Sequence, residues 1–242
     1  MLPAATERVW DFLKERRALA GFVLVGGSAL ALRIHHRLSE DLDFAFPELK
    51  LPRTRLNALL RQAAEAGHDF QRDDNEAALL DFIQGGGDLH DYQQDFLVNG
   101  SVKVSFFAPE VGLARVLQEP AEQFPRIATL PELFKTKCLV SAIRSKSRDW
   151  LDLYLLMREH GFSMRNYQSA FREAGAENQC DIGLSRLCSG MPQLNDEGYA
   201  HLLPEPPTLD QMRTFFIAQR DALEIETAAE AARSRKPPGS SD

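Results

Sequence analysis

The sequence predicts a mixed α+β protein, with a largely antiparallel sheet flanked by helices in its first half and a helical subdomain in its second. Three observations carry this. A short apolar run stops at two glycines and gives way to helical spacing, charged and apolar residues alternate over 41–46, and an Asn-Gly pair separates two further alternating runs. After Pro109 the apolar spacing becomes helical.

Residues 3–19 place Val9, Trp10, Phe12 and Leu13 at helical intervals behind Pro3, which suits the first turn of a helix. Phe22 to Val25 reads as a strand, Gly26-Gly27 as a turn, and Ser28 as the start of a helix through ALALRIHH. The stretch DLDFAF has period two, which sets Asp41 and Asp43 on one strand face and Leu42 and Phe44 on the other. A helix is predicted over 54–66, strands near 68–72 and 77–83, and a hairpin in DFLVNGSVKVSFF turning at Asn99-Gly100. Helices are predicted near 110–118, 131–145, 148–160, 163–174 and 208–229. The expected organisation is a core over 1–109, a helical subdomain over 110–230 that carries Lys137 and Asp149, and a disordered tail over 231–242, where Pro, Gly and Ser replace apolar anchors.

With 242 residues, 44% of them hydrophobic, the chain can bury a core without staples. A net charge of −7 excludes a globally basic nucleic-acid binder, so any RNA contact must be local. Cys138, Cys180 and Cys188 form an odd set at no metal-ligand spacing, and Met1 opens no charged-then-apolar leader. Reduced thiols in a cytoplasm are expected. The sequence lacks a run of about eighteen apolar residues, so no membrane partner is expected.

Two elements point to chemistry. Gly26-Gly27-Ser28 at a strand-to-helix junction lets the backbone approach a ligand, and amides at a helix start attract phosphate. A plain turn with Ser28 as helix cap is the alternative. Asp41 and Asp43 would lie with Cα atoms roughly 6.5 to 7 Å apart, where two like charges become favourable once a divalent cation sits between them. The alternative is a solvated strand end. Together they are more specific, because the helix between them lets the two strands lie side by side, with phosphate loop and acid pair at one edge.

Here LVGGSALALRIHHRLSEDLDF resembles the signature of the DNA polymerase β-like nucleotidyltransferases, in particular the AbiEii/AbiGii toxin branch. VKVSFF and LPELFKTKCLVSAIRSKSRDWLDLYLLM extend the resemblance over roughly residues 21–157. It implies a nucleotidyltransferase-type fold and transfer of a nucleoside monophosphate from an NTP, with Mg²⁺ or Mn²⁺, to an RNA 3′ end such as that of tRNA, or to a protein hydroxyl. It also implies a role as the toxin of a toxin-antitoxin or phage-defence pair with a cognate antitoxin. By residue, it makes Gly26, Gly27 and Ser28 phosphate contacts, Asp41 and Asp43 the metal ligands, Lys137 a triphosphate contact, Asp149 an activating or orienting acid, and Arg37 a further phosphate-facing cation.

Read from the residues alone, Lys137 falls on a largely apolar helix face and wants an anionic partner, while Asp149 also suits a first helical turn by charge alone. Asp152 either shares the face of Asp149 or pairs with Arg148 or Lys146 at the surface. Arg33, Arg37, Arg144, Lys146 and Arg148 either hold an RNA backbone or balance nearby acids. Members of the wider superfamily place a third carboxylate on a later strand; here that position holds Ser105, with Asp95 or Asp91 on the preceding hairpin arm as substitutes. Two other readings stand beside the toxin enzyme: a catalytically silent NTP-binding module of a two-protein defence system, and a transferase acting on a small molecule such as an antibiotic.

Overall fold

A computed structural model describes residues 1–119 and 123–234. The elements are α1 (Ala4–Leu13), β1 (Val23–Val25), α2 (Gly26–Ile34), β2 (Leu42–Ala45), α3 (Arg53–Glu65), β3 (Phe70–Arg72), α4 (Glu76–Gln84), β4 (Gln93–Val98), β5 (Val102–Phe107), α5 (Val111–Val116), β6 (Arg126–Ile127), α6 (Leu130–Ile143), α7 (Ser147–Glu159), α8 (Met164–Ala174), α9 (Cys180–Ser189) and α10 (Leu209–Ser234). The strands form one sheet in the order β3-β4-β5-β2-β1-β6. Three of its pairings are antiparallel, while β2 with β5 and β1 with β6 are parallel.

Alternation along the strands divides this sheet into a buried and a more open face. Leu42, Phe44, Phe96, Val98, Val104 and Phe106 are buried. Phe44 and Phe106 stack at 5.4 Å, Phe96 meets Phe106 edge-on at 6.1 Å, and Trp10 from α1 stacks on Phe44 at 6.2 Å. The alternate residues Asp43, Ser105 and Asp95 are only half-buried or exposed. The β4–β5 hairpin turns where expected, with Asn99 and Gly100 at φ of 51° and 68°, the left-handed region that Asn and Gly tolerate best.

The strand predicted near 77–83 is instead helix α4. Asn75 caps it by accepting the Ala78 amide at 3.1 Å, and Glu76 sits in its first turn, so local capping decided what a short apolar run left ambiguous. Two elements went unpredicted. β6 is only two residues long, and α9 contains Gly183, which belongs there because a Cβ would collide with the Tyr167 hydroxyl and lie 2.7 Å from Ser141 Oγ.

The chain forms two compact units. Of the described residues, the first comprises those of 1–136 with 173–175 and 201–204, and the second those of 137–172, 176–200 and 205–234. The change to helical spacing after residue 109 does not end the first unit, because β6 pairs with β1 and keeps the chain in the sheet as far as the start of α6. Of the predicted disordered tail, Ala231 to Ser234 continue α10, and the residues beyond lie outside those described. Among the described residues no helix is long and apolar enough to cross a membrane.

Candidate active site

In the first unit, Gly26, Gly27, Ser28, Arg37, Asp41 and Asp43 converge. β1 and β2 pair antiparallel with Val25 opposite Asp43, so the residue that ends β1 stands beside the second acid. The helix starts two residues earlier than predicted, at Gly26 itself, and Val25 offers it no side-chain cap. Gly26 has φ of +72°, and a Cβ there would lie 2.7 Å from Asp43 Oδ2. The carboxylate thus rests against the first residue of α2, where a helix terminus favours negative charge.

Gly27 is required for a different reason. A Cβ there would lie 2.6 Å from Arg37 Nη2 and 2.7 Å from Ser39 Oγ. Arg37 is only 4% exposed, with Nη1 donating to the Leu38 carbonyl at 2.8 Å, so it sits packed against the glycine loop. Ser28 is buried; its hydroxyl donates to the Asp41 carbonyl and meets the Ser39 hydroxyl at 3.1 Å. The side chain therefore ties the glycine turn to the backbone of the first acid. Asp41 is exposed just before β2, and Asp43 is half-buried within it.

The open sheet face continues from this pair. Asp43 registers with Ser105 on β5, and Ser105 with Asp95 on β4. Ser105 thus occupies the place on the neighbouring strand where a third carboxylate would face Asp43. Among the described residues, no group of three or more His, Cys, Asp or Glu is placed to hold a metal ion. The acid loop around Asp88, His90 and Asp91 is an ion-pair network: Arg53 reaches Asp88 at 2.6 Å, Lys50 reaches Asp91 at 2.8 Å, and His90 Nε2 meets Asp74 at 2.8 Å.

In the second unit, Lys137 and Asp149 also come together. Lys137, 5% exposed, stands 2.6 Å from both Asp149 Oδ1 and Asp152 Oδ2. Asp152 is fully buried, so its surface pairing with Arg148 or Lys146 is set aside; those two side chains face Glu197 instead. The signal for Asp152 was its i, i+3 spacing from Asp149 on α7. Arg144 donates to Asp149 Oδ2 at 2.8 Å with its side chain 46% exposed. Burial alone would raise the Asp149 carboxyl, but Lys137 and Arg144 outweigh it and hold the group below the usual range. Of the other basic residues weighed for RNA, Arg33 donates to the Ala128 and Ile127 carbonyls at 2.5 and 2.8 Å.

The family model "Nucleotidyl transferase AbiEii toxin, Type IV TA system" matches residues 12–238. The chain belongs to the AbiEii nucleotidyltransferase toxin family. It is 26% identical over 153 residues to the uncharacterized protein aq_aa25 of Aquifex aeolicus (strain VF5), a match covering 63% of this chain and 65% of that relative. Solved structures share the fold. JHP933 from Helicobacter pylori superposes with a TM-score of 0.51 at 17% identity, covering 97% of this chain and all of that one. MenT4, the nucleotidyltransferase toxin Rv2826c from Mycobacterium tuberculosis H37Rv, gives 0.50 at 13% identity over 88% and 82% of the two chains.

Proposed function

We propose that this AbiEii protein transfers a nucleoside monophosphate from an NTP, releasing pyrophosphate, to an RNA 3′ end or a protein hydroxyl, as the toxin of a toxin-antitoxin or phage-defence pair. The observation that carries the reading is the contact of Gly26 with Asp43, backed by the Ser28 hydroxyl on the Asp41 carbonyl. These contacts support a reading in which the uncapped helix start and the acid pair of β2 receive polyphosphate and a divalent cation together.

Asp41 and Asp43 would hold Mg²⁺ or Mn²⁺. Two carboxylates with substrate oxygens and water suffice for Mg²⁺, and an exposed Asp41 beside a half-buried Asp43 fits this donor set. When bound, the ion supplies charge neutralisation to the α-phosphate and leaving pyrophosphate. The remaining roles fall to the chain. The first-turn amides of α2 receive phosphate oxygens, Ser28 holds the Asp41 backbone at the correct distance, and Arg37 keeps the loop open from behind. In the second unit, half-exposed Arg144 is the cation we assign to phosphate, with Asp149 orienting it and Lys137 pairing with Asp149 and Asp152.

The test is label transfer from α-³²P NTPs with Mg²⁺ or Mn²⁺ into unfractionated RNA and protein. Wild type should transfer label and Asp43→Asn should not, with its thermal midpoint unchanged. Near wild-type turnover by Asp43→Asn removes the metal assignment. One observation favours a second reading, a silent NTP-binding module: Ser105 stands opposite Asp43 where a base is wanted. NTP binding without transfer to any acceptor would select it.

A further inference from the structure

Ser105 leaves the reaction without an obvious proton acceptor, yet the same sheet row holds one more strand. Directly opposed residues on adjacent strands carry their side chains on the same face. Asp43, Ser105 and Asp95 are therefore a row on the open face, with the two acids about 10 Å apart at Cα and only a serine between them. Serine is shorter than the carboxylate it replaces and cannot itself act as a strong base there.

Asp95 is built into its place. Its amide donates to Asp74 Oδ1 at 3.2 Å and its carbonyl accepts the Asp73 amide at 3.0 Å, so β4 is fixed from the β3 side at this residue. Its carboxylate is not consumed by any of this. Oδ2 accepts only the neutral Gln93 amide at 2.6 Å, and Oδ1 has no hydrogen-bond partner among the described residues. No cation among them lies within ion-pairing distance of it. A shielded carboxylate oxygen without a partner is uncommon in folded proteins and calls for a cause.

We infer that Asp95 is the general base of the transfer, taking the proton from the acceptor's hydroxyl in place of the carboxylate absent at Ser105. The hydroxyl O–H bond breaks to Asp95 as the oxygen forms its bond to the α-phosphorus. The bond from that phosphorus to the bridging oxygen breaks, and its electron pair leaves with pyrophosphate. This inference rests on the nucleotidyl-transfer reading above.

The experiment uses the full chain, the α-³²P NTP that wild type prefers, and the RNA or protein fraction that it labels. Asp95→Asn should lower kcat by 100-fold or more, within the range of a lost general base. The KM for the NTP, and binding of the same NTP measured calorimetrically with Mg²⁺, should stay within about twofold. Adding Ser105→Asp to that variant should recover at least tenfold of the loss, because it restores a carboxylate beside Asp43. A kcat within threefold of wild type for Asp95→Asn overturns the inference and leaves the transfer reading intact. A loss that tracks a fallen melting temperature, with no recovery from Ser105→Asp, makes Asp95 structural and also overturns it. No transfer by wild type rejects both.

Discussion

The space that a side chain would fill at Gly26 is taken by the carboxylate of Asp43, whose Oδ2 lies 2.7 Å from where a Cβ would stand. Because Gly26 also has φ of +72°, alanine there meets two costs at once, a left-handed backbone of roughly 1–2 kcal/mol and a displaced acid. Gly26→Ala is expected to lower stability in urea by about that amount or more and to abolish label transfer. If transfer survives in full, the acid does not act from this position.

The glycine turn and the acid strand were legible because each has an unambiguous local signature, and the Asn99-Gly100 hairpin for the same reason. The third-carboxylate gap at Ser105 was legible only through the family resemblance, and the β2–β5 register sets that serine directly opposite Asp43. What could not be read was set by features that periodicity does not carry. α4 depends on a local cap at Asn75, whereas β6 depends on two residues meeting the distant β1 and α9 on a glycine that makes room for Tyr167. Spacing put Lys137 on an inward face, but only packing shows that it is enclosed by two aspartates. Likewise the Ser28 hydroxyl, expected at phosphate, is occupied by the Asp41 carbonyl.

Enclosure makes Lys137 costly to remove. Truncation leaves Asp149 and Asp152 buried, with Asp152 losing its 2.6 Å ion pair, and breaking such a pair typically costs about 3–5 kcal/mol. Lys137→Ala should therefore lower the urea midpoint sharply. Lys137→Met combined with Asp152→Leu should regain much of the loss, because the orphaned charge is removed with its partner. Equal stability of the single and double variants would contradict this network.

Arg144 provides the contrast within the same cluster. Its side chain is 46% exposed, and Asp149 retains Lys137 when it is gone, so Arg144→Ala should cost no more than about 1 kcal/mol. If it is the cation that meets triphosphate, the same variant should weaken NTP binding about tenfold. Calorimetric titration and a urea melt on one preparation separate the two effects, and unchanged binding returns triphosphate contact to Lys137.

The three thiols should be slow to react in the folded chain. Burial raises the Cys138 thiol, with Cys180 nearby adding to it; burial pushes Cys180 up to about 11 and also raises Cys188. Since the thiolate is the reactive form, a disulfide reagent at about pH 8 should label native protein at least 100-fold more slowly than urea-unfolded protein. Rapid labelling of one thiol in native conditions would place it in a more open setting than this fold gives it.

Acid should unfold the protein through two particular carboxylates. Burial would raise Glu132, but its bonds to both Arg126 nitrogens at 2.8 Å and to the Thr129 amide at 2.7 Å outweigh it and hold the group low. Asp149 is held low in the same way by Lys137 and Arg144, against its burial. Each folded carboxyl thus binds its proton more weakly than in the unfolded chain. Below the ordinary carboxylate range of about 4 the unfolded state takes up protons that the folded state refuses. Stability is complete above that range and falls as pH drops through the folded values, at up to about 1.4 kcal/mol per pH unit for each group. Removing the Glu132 contribution with Glu132→Gln should lower stability at neutral pH and flatten the decline between about pH 5 and pH 3, as followed by urea melts. An equally steep decline in the variant would mean that Glu132 does not carry this part of the acid sensitivity.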